Sequence, residues 1–333
     1  MDKRDLRIVF MGTPEFAVES LRTLVEGGYN VVAVVTQPDR PVGRHGSVLR
    51  APEVKLYAQS VGLPVLQPEK MKDPVFVEAL RSYNADLQVV VAFRMLPEIV
   101  WAMPRFGTFN VHAALLPQYR GAAPINWAVI NGETQTGVTT FFLDHDIDTG
   151  RVILQRPFDI PETEDAGYVH DGLMHLGAQA AKDTIDLLLA NDGNIDTIAQ
   201  DTLVEDGVSL RHAPKIFRDT CRINWQQPAK KVYDFIRGLS PYPGAWTMVG
   251  AEHAKQMKIF NAHITSEPSK GWLTDNPDVE RHSQVVDGGA SRMIIHQKGV
   301  YFAASDYLLE VFTLQPEGRK RMSSTDYING IQF

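Results

Sequence analysis

The run Leu6-Arg7-Ile8-Val9-Phe10-Met11-Gly12-Thr13-Pro14-Glu15-Phe16, followed after Gly27-Gly28 by Val31-Val32-Ala33-Val34-Val35, decides the architecture of the chain. Apart from Arg7 its first six residues are apolar, as a strand covered on both faces requires. Thr13 suits a helix N-cap, Pro14 the first helical turn and Glu15 the positive end of the helix dipole. The paired glycines stop that helix, and a second wholly apolar strand follows. Two such strands flanking a helix predict a parallel, doubly wound α/β sheet. The turn lacks Gly-x-Gly-x-x-Gly, so a dinucleotide fingerprint is absent.

Downstream the same alternation continues. Helical patterns cover Pro52–Ser60 and Pro74–Tyr83, with a short extended piece at Pro64-Val65-Leu66. Ala85–Ala92 is a third buried strand, and Phe93-Arg94-Met95-Leu96-Pro97 leaves its carboxyl end. Pro124–Asn131 reads as a helix, Val138–Leu143 and Arg151–Ile160 as strands, and Ala166–Leu189 as one long helix. A first domain over residues 1–193 and a linker over 194–210 follow. From residue 211 the character changes. A helix near Ala229–Arg237 precedes short segments at Gln256–Phe260, Met293–His296, Val300–Ala304 and Leu308–Leu314. Short strands at close spacing predict a small antiparallel barrel in a second domain, residues 211–333. Ser266–Arg292 is polar and rich in turn residues, and reads as a mobile insertion. Trp225 and Trp246 read as core anchors, with base stacking as the alternative.

Composition sets the remaining bounds. The 333 residues can bury a sizeable core, and the 44% hydrophobic content is that of a globular protein. No run has the apolar length to span a bilayer, so no membrane partner is expected. Met1-Asp2-Lys3-Arg4-Asp5 leads directly into a strand without a signal-peptide core. Cys221 is the single cysteine, which excludes an intramolecular disulfide and fits a reducing cytoplasm. His170 and His175 stand five apart, not the four that stacks two ligands on a helix face, and no metal site is expected. The net charge of −7 conceals an asymmetry. Residues 211–260 hold 9 Lys and Arg against 3 Asp and Glu, a local excess of +6. A basic segment on an acidic body can bind RNA locally. A solvated face with no partner remains the other reading.

The chemistry concentrates between Thr108 and Gly150. Thr108-Phe109-Asn110-Val111-His112 alternates as a strand does, placing Asn110 and His112 on one face. Two residues along a strand span roughly 6.6 Å, so both side-chain tips can converge on one small group. Asn offers an amide donor, His can carry a proton near neutral pH, and Asp148 can orient such a His. Donor, base and orienting acid are what acyl transfer to an amine requires. Taken singly, Asn-x-His is also compatible with ordinary hydrogen bonding, and Asp148-Thr149-Gly150 with an ordinary turn.

The whole string resembles the folate-dependent formyltransferases. Their strand carries Asn-x-His, followed by Ser-Leu-Leu-Pro-x-Tyr-Arg-Gly-Ala-Ala-Pro and Asp-Thr-Gly. Here the matching residues are Leu115-Leu116-Pro117-Gln118-Tyr119-Arg120-Gly121-Ala122-Ala123-Pro124 and Asp148-Thr149-Gly150. The chain is most similar to the branch acting on charged tRNA. That resemblance implies an OB-like second domain, and Ile223-Asn224-Trp225 with Pro241-Tyr242-Pro243-Gly244-Ala245 resembles its opening. It implies formyl transfer from 10-formyltetrahydrofolate to the α-amine of initiator methionyl-tRNA by a cytoplasmic monomer. Asn110, His112 and Asp148 are then the catalytic residues. Ala114, Leu115, Leu116, Pro117, Met95, Leu96, Asp144 and Asp146 then hold the folate, although Met95 and Leu96 equally suit a core. Gln37-Pro38-Asp39-Arg40-Pro41-Val42-Gly43-Arg44 is similar to the family's acceptor-stem loop. It places Arg44 and Arg40 on tRNA, joined by Lys230 and Lys231 from the basic segment.

Two departures stand out. Ala113-Ala114 replaces the family's Gly-Ser, and the Phe93–Pro97 loop is shorter than usual. Two rival functions compete with this reading. An amino-sugar-nucleotide N-formyltransferase tends to read Arg-Gly-Arg-Ala-Pro and Asp-Ala-Gly, unlike this chain. A tRNA-binding module without turnover would have no reason to keep Asn110, His112 and Asp148 together.

Overall fold

The computed structural model describes residues 1–42, 48–204, 207–275 and 283–330. They form two compact units. The first comprises Met1–Pro124, Gln135–Asp159 and His170–Ala213; the second comprises Ile125–Thr134, Ile160–Val169 and the described part of Pro214–Phe333.

The first unit is built on seven strands: β1 (Ile8–Gly12), β2 (Val31–Val35), β3 (Val65–Leu66), β4 (Leu87–Val91), β5 (Thr108–His112), β6 (Gln135–Phe142) and β7 (Val152–Asp159). Their order is β7-β6-β5-β4-β1-β2-β3. From β5 to β3 all neighbours run parallel, whereas β6 and β7 are added antiparallel at one edge. The mostly parallel, doubly wound sheet expected from Leu6–Val35 is therefore present. Every residue of β1 and β4 is buried, which is why both read as apolar runs, broken in β4 only by Gln88.

Helix α1 (Glu15–Glu26) packs on β1 and β4 through Phe16, Ala17, Ser20, Leu21 and Leu24, one face at helical spacing. Gly12 permits that approach, since a Cβ there would fall 2.7 Å from the Ala17 Cβ. The cap differs from expectation. Pro14, still extended at φ −78° and ψ 172°, occupies the cap position, and no side chain caps the helix. Helical geometry thus begins one residue later than read. Thr13 lies outside it, with its buried hydroxyl unpartnered among the described residues.

Residues 194–210, expected as a linker, are tied into this unit at Ile198. Its N–H donates to the Val152 carbonyl, and the Val152 N–H donates back, each at 2.8 Å. The strand order reverses between β1 and β4, where sheets of this kind open a ligand crevice. Next to β4 lies β5, which carries Asn110 and His112.

The second unit is a barrel. Strands β8 (Ala245–Val249), β9 (Lys255–Pro268), β10 (Gln284–Val286), β11 (Ser291–His296), β12 (Gly299–Ala303) and β13 (Tyr307–Pro316) follow the order β9-β8-β10-β11-β12-β13. β13 pairs back on β9 and closes six antiparallel strands into a ring, which leaves no open edge among them. Ser266–Arg292 is thus not wholly an insertion. Its start continues β9, and Gln284–Val286 is a stave of the barrel whose Val286 is fully buried. Three residues are too short a run for alternation to reveal a strand.

Trp225 sits in the barrel core, 1% exposed, stacked on Phe302 at 4.7 Å. Its indole N–H donates to Thr247 Oγ1 at 2.9 Å, so base stacking is excluded for Trp225 in this fold. Ile130 joins the same core and Trp127 packs against it, which is why residues 125–134 count with the barrel. No described helix is long and apolar enough to cross a membrane.

Candidate active site

Strand β5 delivers the pair. Asn110 is half-buried and His112 is 6% exposed, both on one face of the strand, with the His112 ring edge-on to Phe141 of β6. The loop after β6 begins beside the amino end of β5, where the Leu143 N–H donates to the Thr108 carbonyl at 2.8 Å. It then brings Asp148 Oδ2 to 3.9 Å from His112 Nδ1. The other ring nitrogen, Nε2, lies 2.9 Å from the Tyr119 carbonyl, which can only accept. Nε2 therefore carries the proton in the neutral ring, and only an imidazolium can donate toward both neighbours.

The segment after β5 supplies both partners. Tyr119 provides the carbonyl, and the Gly121 N–H donates to Asp148 Oδ2 at 2.9 Å. Gly121 takes φ +127°, and a Cβ would meet the Ala213 carbonyl oxygen at 2.4 Å, so only glycine fits. Residues 211–213 brace this segment. The Tyr119 N–H donates to the Arg211 carbonyl at 2.7 Å, and His212–Ala213 pairs parallel with Arg120–Gly121. Asp148 itself has φ +56°, a region Asp tolerates better than most residues.

Among the residues expected to hold a ligand, Ala114 is fully buried, at 0% exposure, and Leu116 and Pro117 are buried as well. The Ala114 carbonyl and both backbone groups of Leu116 are already engaged. Thr139 Oγ1 donates to the Ala114 carbonyl at 2.7 Å and accepts from the Leu116 N–H at 3.0 Å, and Gln155 Nε2 donates to the Leu116 carbonyl at 2.7 Å. Leu115 is half-buried and leans over Gly137. Leu96 lies in an apolar cluster with Met11, Val35 and Val100, whereas Met95 is 71% exposed. Asp144 and Asp146 are exposed. Asp144 Oδ1 shapes its own loop by accepting from the Asp146 N–H at 3.1 Å and the Thr149 hydroxyl at 2.8 Å.

The expected RNA-contacting residues divide. Arg44 lies outside the described residues. Arg40 is exposed, paired with Arg50 across a short hairpin, and donates to Gln37 Oε1. Beside it, hydrogen bonds from Gln67 and then Lys55 hold the Asp39 carboxyl below its ordinary range. In the second unit Lys230 Nζ lies 2.7 Å from Asp234 Oδ2, and buried Arg237 Nε lies 2.8 Å from Asp234 Oδ1. Lys230 also lies 3.7 Å from Glu162 Oε1; its pairing with Asp234 is one that i,i+4 spacing signals. Lys231 is exposed. Among the described residues no group of three or more His, Cys, Asp or Glu is arranged to hold a metal ion.

One residue without any signal in the sequence stands at the centre of this geometry. Gln200, 4% exposed, donates through Nε2 to the carbonyls of Asp148 and Gly150 at 2.9 and 2.8 Å. An isolated amide in a loop has no motif to mark it.

A family model described as "Formyl transferase" matches residues 6–185, and "Formyl transferase, C-terminal domain" matches residues 215–332. A methionyl-tRNA formyltransferase of Parabacteroides distasonis is 56% identical over 332 residues, covering 100% of this chain and 98% of the relative. One of Bacteroides thetaiotaomicron is 53% identical over 335 residues, covering 100% and 98%. Among solved structures, an N-formyltransferase of Helicobacter canadensis in complex with folinic acid and dTDP-3-aminofucose superposes with a TM-score of 0.62. It is 17% identical and covers 93% of this chain and 99% of that one, a likeness of fold.

Proposed function

The chain belongs to the formyl transferase family, and from that premise we propose that it formylates the α-amine of initiator methionyl-tRNA. Full-length identity above half to proteins named for that reaction supports the acceptor. Membership among the folate-dependent formyltransferases supports 10-formyltetrahydrofolate as donor and the cytoplasm as the place of work.

In this reading the methionyl nitrogen attacks the formyl carbon and a tetrahedral oxyanion forms. The bond from that carbon to the folate nitrogen then breaks. The proton lost by the amine is regained by the departing folate nitrogen, through His112 or a water. Asn110 and protonated His112 stabilise the oxyanion. The observation that carries the assignment is the environment of His112: Nε2 anchored on the Tyr119 carbonyl, Nδ1 facing Asp148 across 3.9 Å. That separation exceeds a hydrogen bond, so the Nδ1 proton is available to a substrate oxygen or a water while the carboxylate balances its charge. No covalent enzyme intermediate is required, since the amine itself is the nucleophile that attacks the formyl carbon.

One assay tests the proposal. The protein is incubated with 10-formyltetrahydrofolate and, in parallel, charged initiator tRNA or an amino-sugar nucleotide. Formyl transfer to the methionyl amine alone is expected. Transfer to the sugar with none to tRNA would overturn the reading.

A further inference from the structure

The Gln200 amide is saturated. Its two N–H groups go to the carbonyls of Asp148 and Gly150, at 2.9 and 2.8 Å. Its oxygen accepts from Arg120 Nε and Nη2 at 3.0 and 2.7 Å. Two carbonyl oxygens at one end and a guanidinium at the other leave a single workable orientation of the amide. At 4% exposure, each of these bonds would be costly to lose.

The bonds join the two chain segments that flank His112. One is Tyr119-Arg120-Gly121, whose first residue holds His112 Nε2 and whose last holds the Asp148 carboxylate. Arg120, between them, takes the oxygen of Gln200. The other is Asp148-Thr149-Gly150, whose two outer carbonyls take the nitrogen of Gln200. Asp148 is held at φ +56°, and Gly150 lies so close to β6 that a Cβ would meet the Phe142 carbonyl oxygen at 1.7 Å. The loop therefore needs a left-handed residue at 148 and a glycine at 150, beside the group whose placement matters most. Gln200 is itself anchored, because the paired Val152 and Ile198 backbones stand two residues before it.

We infer that Gln200, together with Arg120, is a positioning residue that sets the distance between Asp148 and His112. The inference rests on Asp148 orienting a catalytic His112. Gln200 touches no reacting atom and acts through Asp148.

The test uses the full chain, 10-formyltetrahydrofolate and charged initiator tRNA. Gln200→Met keeps length and loses every hydrogen bond. Gln200→Glu keeps the acceptor for Arg120 and loses both donors. Each should lower kcat on the order of tenfold to a hundredfold, the scale of a small displacement of a catalytic group. KM for both substrates should stay unchanged, and the pH dependence of kcat should move toward that of Asp148→Asn. The double variant Gln200→Met with Asp148→Asn should be no slower than Asp148→Asn alone, because the two act through one group.

A wild-type kcat and pH profile in Gln200→Met, beside a slow Asp148→Asn, overturns the inference and leaves the reading of Asp148 standing. Losses that multiply in the double variant overturn it as well. A wild-type Asp148→Asn instead removes the reading on which the inference rests. Should Gln200→Met fail to fold, Arg120→Lys carries the test from the other end of the amide. It retains the charge but not the two-pronged donation, so the same loss is expected, and wild-type behaviour again overturns the inference.

Discussion

His112 and Asn110 are separable by substitution because they are assigned different tasks. His112→Ala removes the acid–base group and should lower the single-turnover rate about a hundredfold or more. Asn110→Ala removes one oxyanion donor and should cost on the order of a hundredfold. Folate binding, measured by fluorescence titration, should survive both, and a near-normal rate in His112→Ala would exclude the assignment. Ala114 makes a different kind of prediction. Its side chain is wholly enclosed and its carbonyl already accepts from Thr139. Ala114→Ser should therefore alter thermal stability more than folate affinity. A large gain in affinity would mean that this departure from the family weakens the site. These residues were legible because they fall in one contiguous string with strand alternation. Gln200 was not, since nothing local distinguishes a buried amide from an exposed one.

At the scale of elements, the helix Ala229–Gly238 turns on one carboxylate. Asp234 is 3% exposed and is held by Lys230 and by Arg237, itself 5% exposed. Asp234→Ala strands a buried guanidinium and should cost about 3–5 kcal/mol, read from urea unfolding. A loss within experimental error would show that Arg237 finds another partner, such as the Glu164 carbonyl that it already reaches at 2.8 Å. The short turn at Asp219–Cys221 offers a pH test. Burial pushes the Cys221 thiol above its ordinary range, with nearby Lys258 opposing the shift. A raised folded value favours folding fully below the unfolded thiol's pKa, about 8.5, and that contribution is lost as pH rises through the raised value. The unfolding free energy should therefore decline less steeply across alkaline pH in Cys221→Ala than in the wild type. Identical slopes would show that the thiol is not what titrates.

For the whole molecule, the prediction concerns charge. The excess of +6 over residues 211–260 fits phosphate contacts whose strength falls steeply with salt. Lys231 is exposed, while Lys230 is paired with Asp234 and Glu162. Lys231→Glu should therefore weaken tRNA binding and flatten the dependence of log affinity on log salt, without changing the melting temperature. An unchanged salt slope would take Lys231 off the RNA. The sequence by itself determined the parallel sheet, the run of short strands beyond residue 211 and the Asn110-His112 pair. Each is written in side-chain periodicity over neighbouring residues. Only the tertiary structure decided which hydrogen bonds join distant positions. Gln200 meets Asp148 across 52 residues and Arg120 across 80, β13 closes on β9, and Thr139 claims the backbone of Ala114 and Leu116. Such pairings leave no local period. They come from where the packed strands and loops bring their polar groups once burial demands a partner for each.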